Sequence, residues 1–331
     1  MYKIRILNSE DLKKLLDIKD VITTVEIAYE QYSRGEATLL PAIAHEFERG
    51  VRELDIKSGF LSGTGLAGLK VIGYVADNPE KRRIPAISGI VIVLSIETGR
   101  PVGILDGMVI TNIRTGAAGA IGAKYLARKE SSEILIVGPG TQGRVQLQGL
   151  TRVLPGIEVI RVAGRDSEKI SRFVGEMSNL YPGVSFLAVP MDGLGEAVSS
   201  SDLIVTCTSS HEPFIKAEWV RPGTHINAIG ADFPGKQELD ENLLPFARLI
   251  VDSKAQSLKI GEFQAAFEKG LIGEFDVIEI GRVISGEATG RESDEEITIF
   301  DSSGLALQDI VTANLALVRA LERGIGSLVN L

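Results

Sequence analysis

The stretch ILIVGPGTQG at 134–143 joins an unbroken apolar run to a glycine-rich turn, near the middle of a 331-residue chain. The same kind of run recurs downstream as VIRVAG (159–164), VSFLAV (184–189), DLIVTCT (202–208), THINAIG (224–230) and ARLIVD (247–252). Amphipathic stretches such as TQGRVQLQGLTRVL and DSEKISRFVGEM separate them. A strand with one wet face alternates, whereas a strand apolar at nearly every position is buried on both faces. The expected fold class is therefore α/β, a Rossmann-type doubly wound parallel sheet over residues 125–300.

The flanks read differently. DVITTVEIAYEQYSRGE (20–36) predicts a helix with Val21, Val25, Ala28 and Tyr32 near one face. GLAGLKVIGYV (65–75) and ISGIVIVLSIETGRPVGILDG (87–107) read as strands, the latter with a TGRP turn. Residues 109–128 form a helix of small residues suited to close packing, and 302–324 form a helix apolar on one side. With the α/β unit between them, 1–124 and 301–331 are expected to make one discontinuous α+β domain. The α/β unit is then an insertion, which accounts for glycines in mid-chain.

Gly138, Gly140 and Gly143 fit G-x-G-x-x-G between a strand and a helix. The first glycine permits the tight turn, the second lets backbone approach a pyrophosphate, and the third allows close helix–strand packing. The helix N-terminus, opened by Thr141 and Gln142 after Pro139, adds unpaired N–H groups and a positive dipole end. The ligand expected here is a nicotinamide dinucleotide. At the tip of the second strand, Gly164 and Arg165 stand where an acidic residue would bond an NAD ribose. A guanidinium suits a 2′-phosphate; Ser167 is a further donor, and Asp166 an alternative ribose acceptor. NADPH is accordingly expected over NADH. Thr206, Thr208 and Ala231, at later strand ends, join the expected cofactor contacts.

A net charge of −9 argues against a nucleic-acid or anionic-membrane partner. The N-terminus lacks a signal-peptide core, and no stretch approaches the ~20 apolar residues of a membrane span, so a cytoplasmic location is expected. The single cysteine, Cys207, sits in an apolar run and reads as a small buried hydrophobe. His45, His211 and His225 are scattered, without metal-ligand spacing, and no metal is expected.

Lys70 on a strand, Arg114 inside the small-residue helix and Asp232 beyond INAIG are charges in apolar settings. Each alone fits a structural ion pair as well as a catalytic role. Together, two cations suit a carboxylate and one acid suits a nitrogen proton, which points to a small amino or imino acid.

These stretches resemble the ornithine cyclodeaminase/mu-crystallin family: GLKVIGYVADNP (68–79), GRPVGILDGMVITNIRTGAAGAIGAKYLA (99–127), LIVGPGTQG (135–143), INAIGADFPGKQELD (226–240) and ITIFDSSGLALQDIVTAN (297–314). The resemblance implies a homodimer with a Rossmann domain inserted in a substrate-binding domain. It assigns Lys70 and Arg114 to the substrate carboxylate, and Asp232 to the acid/base at nitrogen. It places Ser302, Gly304 and Leu305 over the nicotinamide. This chain departs from the family in having Ile43 where many members carry a carboxylate-binding arginine; His45 or Lys57 are the candidate replacements. Gly89 occupies a position often held by threonine, and an open glycine there would suit a small or cyclic ligand. The sequence around Lys70 and the Gly164-Arg165 tip both differ from the cyclodeaminases. The expected activity is NAD(P)H-dependent reduction of Δ1-pyrroline-2-carboxylate to L-proline, with Asp232 and Lys70 catalytic. Ornithine cyclodeaminase, alanine dehydrogenase and a non-catalytic crystallin-like NADP-binding protein are the alternatives.

Overall fold

The computed structural model describes residues 2–48 and 50–330. It divides into two compact units, Met1–Arg114 with Leu305–Leu331, and Thr115–Gly304. Among the described residues, no helix is long and apolar enough to cross a membrane.

In the 115–304 unit the described strands form one sheet. Its order is Val277–Glu279, Ala247–Val251, Ile297–Asp301, His225–Ala228, Leu203–Thr206, Glu133–Val137, Val159–Ala163, Ser185–Val189, and every neighbouring pair is parallel. The apolar run at 134–137 shows why. Leu135 and Val137 enter the core on one face, and Ile134 and Ile136 the core on the other. Each fully buried aliphatic side chain contributes on the order of 1.5–3 kcal/mol, and a strand with both faces covered collects this at every residue. The expected doubly wound parallel sheet is present. After Glu133–Val137 the chain adds two strands on one side, then returns to place Leu203–Thr206 on the other. That reversal opens a crevice at the carboxyl ends of these two strands, where open α/β sheets bind ligands.

The helix Gly107–Leu126 contains the division at 114/115. Its second half packs backbone-close on the helix Thr141–Val153: a Cβ on Gly116 would meet the Val145 carbonyl at 2.5 Å, and one on Gly149 the Gly116 carbonyl at 2.3 Å. His225 is a satisfied core residue, bonded to Thr298 (2.9 Å) and Asn227 (3.0 Å). Burial pushes its pKa down to about 3, with Arg291 adding to the effect.

In the other unit the described strands again form one sheet, ordered Ser327–Asn330, Lys3–Leu7, Pro101–Asp106, Ile87–Ser95, Leu66–Val75, Arg52–Leu61, Ala37–Glu48. The helices Ile18–Ser33 and Ala306–Arg323 pack together, and the latter lies against the central strands. Val21, Val25 and Ala28 are buried as their spacing predicts, with Tyr29 fully buried beside them. The strands Ala37–Glu48 and Arg52–Leu61 have no counterpart in the sequence reading. The first is an edge strand exposed over most of its length, so it carries no apolar alternation.

Candidate active site

Alternation along Leu66–Val75 turns Gly68, Lys70 and Ile72 to one face, and Gly68 lies against Ile310 of the C-terminal helix. Immediately before Ile310 on that helix stands Asp309. Its Oδ2 lies 2.8 Å from Lys70 Nζ, and its Oδ1 accepts from Arg114 Nε at 3.1 Å. All three side chains are buried. Gln308 Oε1 accepts from Arg114 at 3.1 Å and from Leu305 N at 2.7 Å, and Gln308 Nε2 donates to buried Tyr29 at 2.5 Å. Lys57 is buried too and stands opposite Lys70 in the strand register.

Burial pulls the Lys70 ammonium down to about 8, and Arg114 and Lys57 add to this against the opposing pull of Asp309. For Asp309, burial raises the carboxyl, but Lys70 and Arg114 outweigh it and hold the group below the usual range. Two cations, Lys70 and Arg114, on the one carboxylate of Asp309 leave an excess of positive charge, the electrostatic requirement for binding a further small anion. Of the two candidates to stand in for an arginine at Ile43, Lys57 joins this cluster. His45 lies exposed on its strand, its ring edge-on to Phe47 at 4.8 Å.

Gly89 is not open. A Cβ there would lie 2.4 Å from both the Val71 carbonyl and Ile72 Cδ1. The residue is glycine because the neighbouring strand fills the space, which corrects the expectation of an opening for a cyclic ligand.

In the 115–304 unit, the glycine turn follows the strand at the sheet's reversal point. Gly138 has φ +119°, reached without strain only by glycine, and a Cβ on Gly143 would meet the Gly138 carbonyl at 2.4 Å. Gly140 faces open space, with nothing within 4 Å of where its Cβ would be. The 13-residue helix that begins at Thr141 has no side-chain cap, so its first N–H groups are left for an external anion. Gly138, Pro139, Gly140, Gly164, Arg165, Asp166 and Thr208 line a cavity of about 540 Å³. An open glycine, an uncapped helix N-terminus and this volume together fit a dinucleotide.

Other expected cofactor contacts already hold internal partners. Asp166 Oδ1 caps the helix Ser167–Leu180 through Lys169 N (3.0 Å), and its Oδ2 faces Lys169 Nζ at 3.3 Å. The Lys169 N–H is the first cause of this carboxyl's lowered pKa. Ser302 Oγ and Gly304 N both donate to Asp252 Oδ2, at 3.1 and 2.7 Å. Thr206, Ala231 and Leu305 are fully buried. Asp232 lies half-exposed beyond the strand His225–Ala228, its Oδ1 2.6 Å from Lys236 Nζ.

Sequence reading did not find Asp309, Gln308, Lys169 or Lys236. The signal for Asp309 was present: a carboxylate in the apolar face of the 302–324 helix demands a buried cation. Cys207, expected in the core, is half-buried and lines the cavity, and its Sγ is 3.4 Å from the Val137 and Gly138 carbonyls. Burial pushes its thiol up, with Glu238 adding to the shift.

The sequence matches the model of the ornithine cyclodeaminase/mu-crystallin family over residues 3–324. An alanine dehydrogenase of Archaeoglobus fulgidus is 43% identical over 323 residues, 97% of each chain. An archaeal alanine dehydrogenase dimer with bound NAD has a TM-score of 0.92 at 41% identity, with 99% of each chain covered. The Δ1-pyrroline-2-carboxylate reductase of Thermococcus litoralis, in complex with NADH and L-proline, also has a TM-score of 0.92. It is 33% identical and covers 99% of this chain and 100% of its own.

Proposed function

The chain belongs to the ornithine cyclodeaminase/mu-crystallin family and is an oxidoreductase; on that premise we propose that it reduces the C=N bond of a 2-imino acid with NAD(P)H, taking Δ1-pyrroline-2-carboxylate to L-proline. The observation that carries this reading is the buried cluster of Lys57, Lys70 and Arg114 around the single carboxylate of Asp309. Lys70 and Arg114 hold the substrate carboxylate and draw electron density from the adjacent imine carbon. A bound nicotinamide dinucleotide supplies the hydride chemistry. The turn 138–143 holds its pyrophosphate, and Arg165, in the wall of the same cavity, reads a 2′-phosphate. Asp232, or a water it orients, supplies the proton to the imine nitrogen. Lys236, 2.6 Å away, holds the carboxylate in place, and the half-exposed position gives it solvent water as the source of that proton.

A second reading, alanine dehydrogenase, uses the same residues on the imine of pyruvate and ammonia. It is favoured by the 43% identity to the Archaeoglobus enzyme. The chain is proposed to act as a homodimer, in keeping with Leu40, Ile43, Phe47, Ile87 and Ile90, which expose apolar surface on the sheet of the first unit.

The test is nicotinamide absorbance of the purified protein with NADPH and with NADH, offered either Δ1-pyrroline-2-carboxylate or pyruvate plus ammonia. Rapid oxidation with the cyclic imine alone is the expected result. Turnover confined to pyruvate and ammonia makes the chain an alanine dehydrogenase. Release of ammonia and proline from L-ornithine with NAD, without net redox change, overturns both.

A further inference from the structure

Glu238 lies in the loop after Asp232, and its side chain is fully buried. Its Oε1 accepts from both Thr208 N and Thr208 Oγ1, each at 2.7 Å. Its Oε2 accepts from Gly230 N at 2.9 Å. One carboxylate thus ties together two loops that leave the carboxyl ends of adjacent strands, Leu203–Thr206 and His225–Ala228. Thr208 lines the dinucleotide cavity, and Gly230 stands two residues before Asp232.

The two loops meet directly at this point. A Cβ on Gly230 would lie 2.4 Å from the Thr208 carbonyl and 2.5 Å from the Glu238 carboxyl. Glu238 is itself held from behind. Its N–H donates to Glu262 (2.8 Å to Oε1), as does Leu239 N at 2.6 Å, and Glu262 N donates to Asp301 Oδ2 at 3.0 Å. Asp301 ends the next strand of the sheet, Ile297–Asp301. Burial raises the Glu238 pKa, and the donors of Thr206, Thr208 and Gly230 oppose it.

We propose that Glu238 is a positioning residue of the dinucleotide site, fixing the Thr208 wall of the cavity in register with the loop that carries Asp232. This rests on the dinucleotide reading given above. A glutamine at 238 keeps the size but presents an NH₂ to one of the backbone N–H groups that the carboxylate now accepts. The loops then lose their common anchor, and both cofactor affinity and the placement of Asp232 suffer. The imine substrate's carboxylate is read elsewhere, by Lys70 and Arg114, so its KM is spared.

The experiment titrates NADH and NADPH onto the full chain by nicotinamide fluorescence, for wild type, Glu238→Gln, Thr208→Val and the double variant, with kcat and KM measured alongside. Glu238→Gln is expected to weaken dinucleotide binding about tenfold and lower kcat at least about tenfold, with the imine KM within about twofold. Thr208→Val loses the hydroxyl arm, and with it the bond Oγ1 accepts from Ser210 N at 3.2 Å, and weakens binding about threefold. The double variant falls short of the product of the two single effects, because both changes act on the Thr208–Glu238 contact. Unchanged Kd and kcat in Glu238→Gln, or effects that multiply in the double variant, overturn the proposal. Should Glu238→Gln not fold, Thr208→Val decides, and an unchanged Kd there is equally fatal. If wild type binds neither dinucleotide, the functional reading itself fails and this inference with it; binding by wild type with unaltered variants refutes the inference alone.

Discussion

The two units bury ionisable groups in opposite ways. The first surrounds one carboxylate, Asp309, with Lys70, Arg114 and Lys57. The second gathers Glu238, Glu262 and Asp301 and meets them with backbone N–H and hydroxyl donors. The pKa directions follow. Asp309 is held low by its cations, while burial, with Glu238 beside Glu262 and Asp252 beside Asp301, raises Glu262 and Asp301 well above their ordinary values. A cation-paired carboxylate leaves charge to spare for an anionic ligand. Carboxyls bound to N–H groups instead act as braces between loops.

The largest effect expected from this contrast is at Asp309. Asp309→Asn leaves the buried cations without their counter-charge, a loss of about 3–5 kcal/mol, seen as a fall in melting temperature on the order of 10 °C. An unchanged melting temperature would show that the cluster is solvated rather than buried, and the contrast would collapse. Next is the pH dependence of the cation cluster. As pH rises through about 8, Lys70 in the substrate-free enzyme loses its charge, so kcat/KM for the imino acid falls about tenfold per pH unit beyond that point. A profile flat to pH 10 would mean that Lys70 does not bind the substrate as an ammonium. In the second unit, Arg165→Ala is expected to raise the NADPH KM about tenfold and spare NADH; equal effects on both remove Arg165 from 2′-phosphate recognition.

The smallest effect sharpens the comparison most. Glu262→Gln replaces a carboxyl whose pKa is raised by burial and by Glu238, so at neutral pH it costs less than about 1 kcal/mol. The linkage signs differ between the units. Asp309, held low, stabilises the fold above the usual carboxylate pKa, and that stability is lost as pH falls through its lowered value. Glu262 and Asp301, held high, contribute fully below their usual pKa and lose that contribution as pH rises through their raised ones. Melting curves across pH should show Glu262→Gln flattening the alkaline side alone and Asp309→Asn the acid side alone. The reverse assignment would refute the account of both clusters.

Much of the second unit was legible in the sequence. A parallel strand buried on both faces is apolar at consecutive positions, and a dinucleotide turn needs its glycines at fixed local spacing, so both signals lie within about ten residues. The short strand Val277–Glu279 and the exposed edge strand Ala37–Glu48 were not legible, because neither has a one-sided or two-sided apolar pattern to reveal it. Gly89 misled for a related reason: a glycine reads the same whether it makes room or has none.

Consecutive residues were enough to show where the parallel sheet begins, which glycine turn lines the cavity at the sheet's reversal point, and that Lys70 and Arg114 need a partner. Only the tertiary structure decided that the partner is Asp309, brought from the far end of the chain by helix packing. It also decided that Glu238 joins two loops rather than facing solvent beside Asp232. Periodicity and turn chemistry are local and leave a trace in consecutive residues. Charge compensation is set by distance through space, and a sequence does not record which remote side chain folding will bring within 3 Å.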